Sequence, residues 1–352
     1  MSKLLDERDH VSLRERRHIF HLLSKLAKSA QVFPRSLEIT GVQCDLTAPL
    51  TEGGFGYIYK GEYKGEAICV KAARLYERGV NTQTLKAHAG ELIIWAHVSH
   101  PNILSFRGIF LSDEKIPRIC IVSPWMENGD LVHYLKKYPE SNRLPLVYDI
   151  ASGLQYLHEH GIVHADLKAK NVLVSGTKRA MLADFGVSLI SMTMATTTIN
   201  PSVGTANWMA PELFIVDNSF ANQESDIWAF GCTCYEISSG MMPFHQYKKA
   251  PQLINAFMKG VATLLKPEPS NEWDGSKEQI WLLAQKCCVA APDIRPKVET
   301  ILASITSWDM PREDSIPTNT PINAKKRHTG PDYDHVLAIL KRIQQPDTEG
   351  ET

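Results

Sequence analysis

The chain has 352 residues, room for one domain of about 250 residues plus flanking segments. Its 38 Lys and Arg balance 39 Asp and Glu, so the net charge of −1 argues against nucleic acid or a membrane surface as a bulk partner. No apolar run approaches the ~20 residues that span a bilayer, and the polar start Met1-Ser2-Lys3-Leu4-Leu5-Asp6 lacks a secretory core, which predicts a cytoplasmic protein with nuclear entry left open.

Residues 1–44 read as an N-terminal helical arm. Ser12 and Glu15 form a capping box, and Ile19, Leu22, Leu23, Leu26 and Ala30 recur at helical spacing until Val32-Phe33-Pro34. Residues 1–37 carry eight Lys or Arg against four Asp or Glu, and the apolar stripe of this basic helix is expected to pack on the neighbouring lobe.

The run from Leu50 to Gly61 reads as strand, glycine turn, strand. Gly53, Gly54 and Gly56 carry no side chain, so the backbone amides there can reach phosphate oxygens. Downstream, Ile68-Cys69-Val70-Lys71 ends an apolar strand on a charge, an expensive arrangement unless Lys71 meets a carboxylate and a phosphate. Glu77 and Glu91 are the acidic residues between Lys71 and His100, and Glu77 lies too close to the strand to fold back. Glu91, on a predicted helix where it shares a face with Trp95, is the expected partner of Lys71.

Leu146, Ile150, Leu154 and Leu157 form one apolar helical stripe, closed by Gly161, which suits a left-handed cap. A polar loop follows, Ile162-Val163-His164-Ala165-Asp166-Leu167-Lys168-Ala169-Lys170-Asn171. There Asp166 could accept and orient a hydroxyl proton, and Lys168 could aim its ammonium at the same phosphate. The runs Asn171–Val174 and Ala180–Ala183 flank Ser175-Gly176-Thr177-Lys178 and predict a hairpin. That hairpin brings the Asn171 amide and the Asp184 carboxylate together, two hard oxygen donors suited to magnesium. Asp184-Phe185-Gly186 and then Ala210-Pro211-Glu212 complete the series. Alone, each such Asp or Asn is an ordinary turn residue; the ordered series is highly specific.

On these motifs the sequence resembles a eukaryotic protein kinase from about Asp45 to Ile305. Lys168 and the run Gly204-Thr205-Ala206-Asn207-Trp208-Met209-Ala210-Pro211-Glu212 resemble the serine/threonine-specific members of the tyrosine-kinase-like group. The resemblance implies an α+β bilobal fold over 45–305, with a five-stranded antiparallel small lobe and one helix (45–123), a hinge (124–126) and a mainly helical large lobe (127–305). It implies ATP and Mg2+ as cofactors, with Mn2+ a substitute, and Ser or Thr of protein substrates as acceptors. The adenine would bond to the hinge backbone around Pro124 and Met126, with Leu50, Ile58 and Cys69 above, Leu173 below and Ser123 as a small gatekeeper. Asp226 would accept hydrogen bonds from the catalytic-loop backbone, Arg295 would pair with Glu212, and Thr205 belongs to the peptide-docking segment. Phe106, Trp95, Phe185 and His164 would stack above Asp226 and couple the lobes.

Four positions depart from the family pattern. Thr51 stands for the first glycine of the phosphate turn, Cys69 for an alanine over the adenine, and Asn207 for a frequent arginine near Thr205. Ala165 replaces an arginine that neutralises a phosphorylated activation loop, so activity is expected without a phosphate on Thr196, Thr197, Thr198 or Ser202. The leading expectation is an active serine/threonine protein kinase in signal transduction. A catalytically silent nucleotide-binding scaffold is the alternative motivated by Thr51 and Ala165, and retention of Lys71, Asp166, Asn171 and Asp184 separates the two. A small-molecule kinase is disfavoured by the docking segment.

The seven cysteines lack zinc-ligand or disulfide-framework spacing and are expected to be reduced and mostly buried. Residues 306–352, rich in Pro, Thr and charge, read as a disordered linker and tail with a short helix over 333–343.

Overall fold

The computed structural model describes residues 22, 37–53, 56–73, 92, 94–112, 118–185, 206–215, 219–267 and 273–308. The expectations for the N-terminal helix beyond Leu22, for Gly54, Glu91, Gly186 and Thr205, for the phosphorylation candidates Thr196 to Ser202 and for the tail lie outside these residues.

The small lobe is one antiparallel sheet. Its strands are β1 (Gln43–Cys44), β2 (Thr51–Gly53), β3 (Gly56–Tyr63), β4 (Glu66–Ala73), β5 (Gly108–Leu111) and β6 (Ile119–Pro124), in the order β1-β3-β4-β6-β5 with β2 also paired to β3. β1 and β2 share one edge of β3, at Gln43↔Glu62 and Thr51↔Ile58, so six segments fill five strand positions. The interruption falls where Asp45 Oδ1 accepts from Thr47 N at 2.9 Å and Thr47 Oγ1 at 2.6 Å, a side-chain turn that diverts the backbone from the ladder.

Alternation on β4 decides which side chains reach the site. Ile68, Val70 and Ala72 point into a core with Tyr59, Cys120 and Val122, so Cys69 and Lys71 emerge on the opposite face.

In the large lobe the helices are α1 (Leu131–Lys137), α2 (Leu144–Glu159), α3 (Glu212–Ile215), α4 (Gln223–Ser239), α5 (Ala250–Met258), α6 (Gly275–Cys287) and α7 (Val298–Thr306), with a hairpin of β7 (Val172–Val174) and β8 (Ala180–Leu182). Leu146, Ile150, Leu154 and Leu157 of α2 are buried in the main core. The end of α2 aims the chain at the site. Gly161 adopts φ +72°, its amide bonds to His158 O at 3.0 Å and the Ile162 amide to Leu157 O at 2.9 Å, a left-handed cap that turns the backbone sharply.

Helix α4 is central and nearly all buried. Asn222 and Ser225 form its capping box, and Gly231 lets α6 approach, since a Cβ there would stand 2.7 Å from Cys287 Cβ. Cysteines 120, 232, 234 and 287 are buried, whereas Cys44, Cys69 and Cys288 are partly accessible; all seven are free thiols.

Candidate active site

Four segments meet at the site: β4, the loop between α2 and β7, the residues after β8, and the start of α4. The register Val172↔Leu182 aligns the hairpin, and the Ala183 amide bonds to Asn171 O at 2.9 Å, bringing Asn171 beside Asp184. The Leu182 amide bonds to Asn102 O at 2.9 Å, which fixes the hairpin to the segment entering the small lobe. From β4, Lys71 Nζ reaches Asp184 Oδ1 at 2.7 Å.

Asp166 is held by its neighbours. Lys168 Nζ donates to both of its carboxylate oxygens, at 2.9 and 2.7 Å, and Asn171 Nδ2 donates to Oδ2 and to the Asp166 carbonyl, each at 2.8 Å. With the Asn171 amide nitrogen thus engaged, its amide oxygen is the end available to a cation. The Asp184 carboxylate and the Asn171 amide oxygen form a hard donor set that fits magnesium; two protein ligands leave room for phosphate oxygens and water.

Beneath the loop, Asp226 is buried and accepts from the amides of His164 at 2.8 Å and Ala165 at 2.9 Å, while His158 Nε2 lies 2.9 Å from its Oδ2. Bonding two successive amides to one carboxylate bends the loop, and Ala165 stands at φ +67°, where an L-residue is strained. Burial holds the His164 ring below its ordinary pKa, so it is neutral, and its Nε2 has no hydrogen-bond partner among the described residues.

An aromatic column joins the lobes. Ring centroids are 5.4 Å apart for Trp95 and Phe106, 5.9 Å for Trp95 and Phe185, and 6.4 Å for His164 and Phe185. Behind the site, Arg295 donates to both oxygens of Glu212 at 2.7 Å and also to Glu224 O, Val289 O and Ala290 O.

Where the adenine is expected, Cys69 sits opposite Ser123 in the β4–β6 register and Ile68 opposite Pro124. Ser123 is buried, and burial pushes the Cys69 thiol up to about 11, so it is uncharged. Ile58 pairs with both Thr51 and Lys71, the Leu50 amide bonds to Ile58 O at 2.8 Å, and the exposed Leu50 side chain lies at this edge. Gly53↔Gly56 is the last pair before the glycine turn. Leu173 and Met126 pack against the main core from the other lobe.

Sequence reasoning missed one titratable residue. Glu236, on α4, accepts from Ala169 N at 2.9 Å and from Trp208 Nε1 at 2.7 Å, both on Oε2. Burial pushes its carboxyl up to about 7, against the lowering effect of those two bonds and of Lys168. The available signal was an acidic residue among the apolar and small side chains of Ile227–Ile237.

A model of the protein kinase domain matches residues 45–305. Serine/threonine/tyrosine-protein kinase HT1 of Arabidopsis thaliana is 27% identical over 84% of this chain and 73% of its own length. Mitogen-activated protein kinase kinase kinase ANP1 of the same plant is 32% identical over 71% of the chain and 37% of its own length. A probable serine/threonine-protein kinase of Dictyostelium discoideum is 29% identical over 77% of the chain. The chain spans 28% of that protein's length, and 40% and 44% of two further Arabidopsis kinases, STY46 and STY17.

Proposed function

This chain belongs to the protein kinase family, and from that premise we propose that it transfers the γ-phosphoryl group of ATP to serine and threonine hydroxyls of protein substrates in signal transduction. The observation that carries this reading is that two sets of side chains bonded at 2.7 to 2.9 Å, Lys71 with Asp184 and Asp166 with Lys168 and Asn171, are brought side by side by the bond from the Ala183 amide to Asn171 O at 2.9 Å. A nucleotide-binding scaffold has no need of the Asp166 carboxylate in that setting.

Each residue has a distinct task. Asp166, fixed by Lys168 and Asn171, accepts the hydroxyl proton and orients the attacking oxygen. Lys168 is close enough to Asp166 to follow the charge onto the transferred phosphoryl group, and Lys71 meets the other phosphates. The Asn171 amide oxygen and the Asp184 carboxylate would hold magnesium, or manganese as a substitute, whose charge would offset that of the phosphates. The lid is the β2–β3 turn with Gly53, Gly54 and Gly56. The adenine lies between Leu50, Ile58 and Cys69 on one side and Leu173 on the other, along Pro124 and Met126. Glu91 supports Lys71, and Thr205 supports the docked peptide.

We further assign residues 45–123 to the small lobe, 124–126 to the hinge, 127–305 to the large lobe and 1–44 and 306–352 to the flanking arm and tail, in a cytoplasmic enzyme. No helix among the described residues is long and apolar enough to cross a membrane. The test is transfer of labelled phosphate from ATP to a generic protein substrate by wild type and Asp166→Asn. Loss of at least about a hundredfold in the variant is expected; equal labelling by the two would sink the reading.

A further inference from the structure

Cys232 on α4 and Cys288 at the end of α6 are 56 residues apart in sequence, yet their Sγ atoms lie 3.8 Å apart. The two elements are in close contact here. A Cβ placed on Gly231, beside Cys232, would stand 2.7 Å from Cys288 Sγ, and the Cys288 amide is bonded to Ala284 O at 2.9 Å, which fixes it to the helix end. Cys232 is fully buried, whereas Cys288 is partly accessible. Cys232 Sγ also donates to Asn207 O at 3.7 Å, and Cys288 Sγ to Trp228 O at 3.6 Å. Thiols are weak donors, so little holds the sulfurs apart.

We propose that Cys232 and Cys288 form a reversible redox site, in which hydrogen peroxide reaching Cys288 converts the pair to a disulfide that ties α4 to the end of α6. In the first step the Cys288 thiolate attacks one peroxide oxygen; the S–O bond forms, the O–O bond breaks, and the departing hydroxide takes up a proton and leaves as water. The Cys232 sulfur then attacks the Cys288 sulfur. The S–S bond forms, the S–O bond breaks, and the second hydroxide leaves as water with the Cys232 proton. Two thiols are oxidised and one peroxide is reduced to two waters. Burial pushes the Cys232 thiol well above its ordinary pKa, so the accessible Cys288 meets the oxidant, and contact between the sulfurs compensates in the intramolecular second step. Closing from 3.8 Å to a bond of about 2.05 Å moves each sulfur by about 0.9 Å, within the reach of rotation about the Cα–Cβ bonds.

The disulfide has a consequence at the peptide side. Once oxidised, Cys232 has no proton to donate, so the Asn207 carbonyl loses its bond, although the Asn207 side chain keeps Pro243 O at 2.7 Å. Asn207 stands next to Trp208 in the segment leading to Ala210-Pro211-Glu212. This consequence rests on the kinase reading; the disulfide itself does not. Loosening that segment should weaken peptide binding and leave the ATP side, built on β4 and the 164–184 segment, unchanged.

The experiment treats the full chain with a roughly tenfold excess of hydrogen peroxide, then denatures, alkylates and digests it for mass spectrometry. Wild type is expected to lose two of its seven free thiols, with Cys288 linked to Cys232 and full recovery in dithiothreitol. Cys288→Ser should leave Cys232 unlinked. Fragmentation between Cys287 and Cys288 assigns the sulfur, and it decides alone should that variant not fold. No link in wild type, a link through Cys287, a Cys232 link that persists in Cys288→Ser, failure of dithiothreitol to reverse the link, or Cys288 driven to sulfinic acid beside a Cys232 thiol would each overturn the proposal. In the kinetic arm, oxidised wild type should show a peptide KM raised about threefold, an unchanged KM for ATP and recovery on reduction, with Cys288→Ser insensitive. An unchanged peptide KM in the linked enzyme would overturn the effect on docking. Absence of phosphate transfer by the reduced enzyme would instead remove the kinase reading, and the mass measurements would still decide the disulfide.

Discussion

Lys71 Nζ and Asp184 Oδ1 lie 2.7 Å apart across 113 residues of sequence, one on the sheet of the small lobe and the other just past β8 of the large lobe. The pair is a direct electrostatic link between the lobes at the point where the triphosphate is expected. Asp184 adopts φ +58°, so its carboxylate is held in a conformation that L-residues rarely visit.

Substituting either partner should therefore affect chemistry far more than folding. Lys71→Met and Asp184→Asn are each expected to lower phosphate transfer by about a hundredfold or more. Both side chains keep some solvent contact, at 19% and 30% accessibility, so solvent screens the pair and the fold should survive either change. Circular dichroism with the transfer assay checks this; loss of cooperative unfolding in both variants would refute it.

The Arg295–Glu212 pair predicts the reverse. The arginine side chain is 1% accessible, makes two bonds to Glu212 and three to backbone carbonyls, and stacks 5.1 Å above Trp228. Glu212→Gln leaves that guanidinium buried without its counter-charge, which typically costs about 3 to 5 kcal/mol. Urea denaturation should show a loss of this size, and a loss below about 1 kcal/mol would contradict the assignment.

Glu236 gives stability a pH dependence of known sign. Folding raises its pKa from 4.5 to about 7, so the folded chain holds the proton more tightly than the unfolded one. The stabilisation is complete below pH 4.5 and is lost as pH rises through about 7, a change of roughly 3 kcal/mol. His100 acts oppositely: burial and the nearby His160 lower its pKa to about 4, so its contribution is lost as pH falls below the ordinary 6.5. The difference between wild type and Glu236→Gln isolates the first effect. Denaturation at pH 5 and pH 8 should show wild type losing stability relative to the variant at the higher pH; a constant difference would refute the assignment.

Ser123 is small and buried opposite Cys69 in the β4–β6 register, and the proposed adenine site over Cys69 predicts room behind the base there. Ser123→Met should exclude bulky ATP-site inhibitors by tenfold or more while leaving the KM for ATP within about threefold. Equal inhibition of both forms would show that residue 123 does not border that space.

How much of the site could be read in advance depended on distance along the chain. His164 to Asn171 and Asp184 lie within one loop and hairpin, where motif order and turn residues already specify who meets whom. Lys71 could be recognised as a charge on an apolar strand; Glu91, the partner expected by elimination, lies outside the described residues, and among the described residues Asp184 Oδ1 stands 2.7 Å from the Lys71 ammonium. The split of the sheet's edge strand was not legible, because a local turn at Asp45 competed with the ladder. Glu236 escaped notice because a lone acidic residue in a helix carries no motif.

By itself the sequence determined the family, the bilobal class and the identity of the chemical groups, since spacing, strand alternation and turn residues are local properties of the chain. Tertiary structure alone decided that Glu236 is buried under two donors from separate segments, that the Lys71 ammonium stands 2.7 Å from Asp184, and that the loop amides meeting Asp226 are those of His164 and Ala165. Those outcomes depend on how α2, α4 and the sheet pack. Burial and hydrogen bonding between distant segments, which set charge and position, are absent from the chain until it has folded.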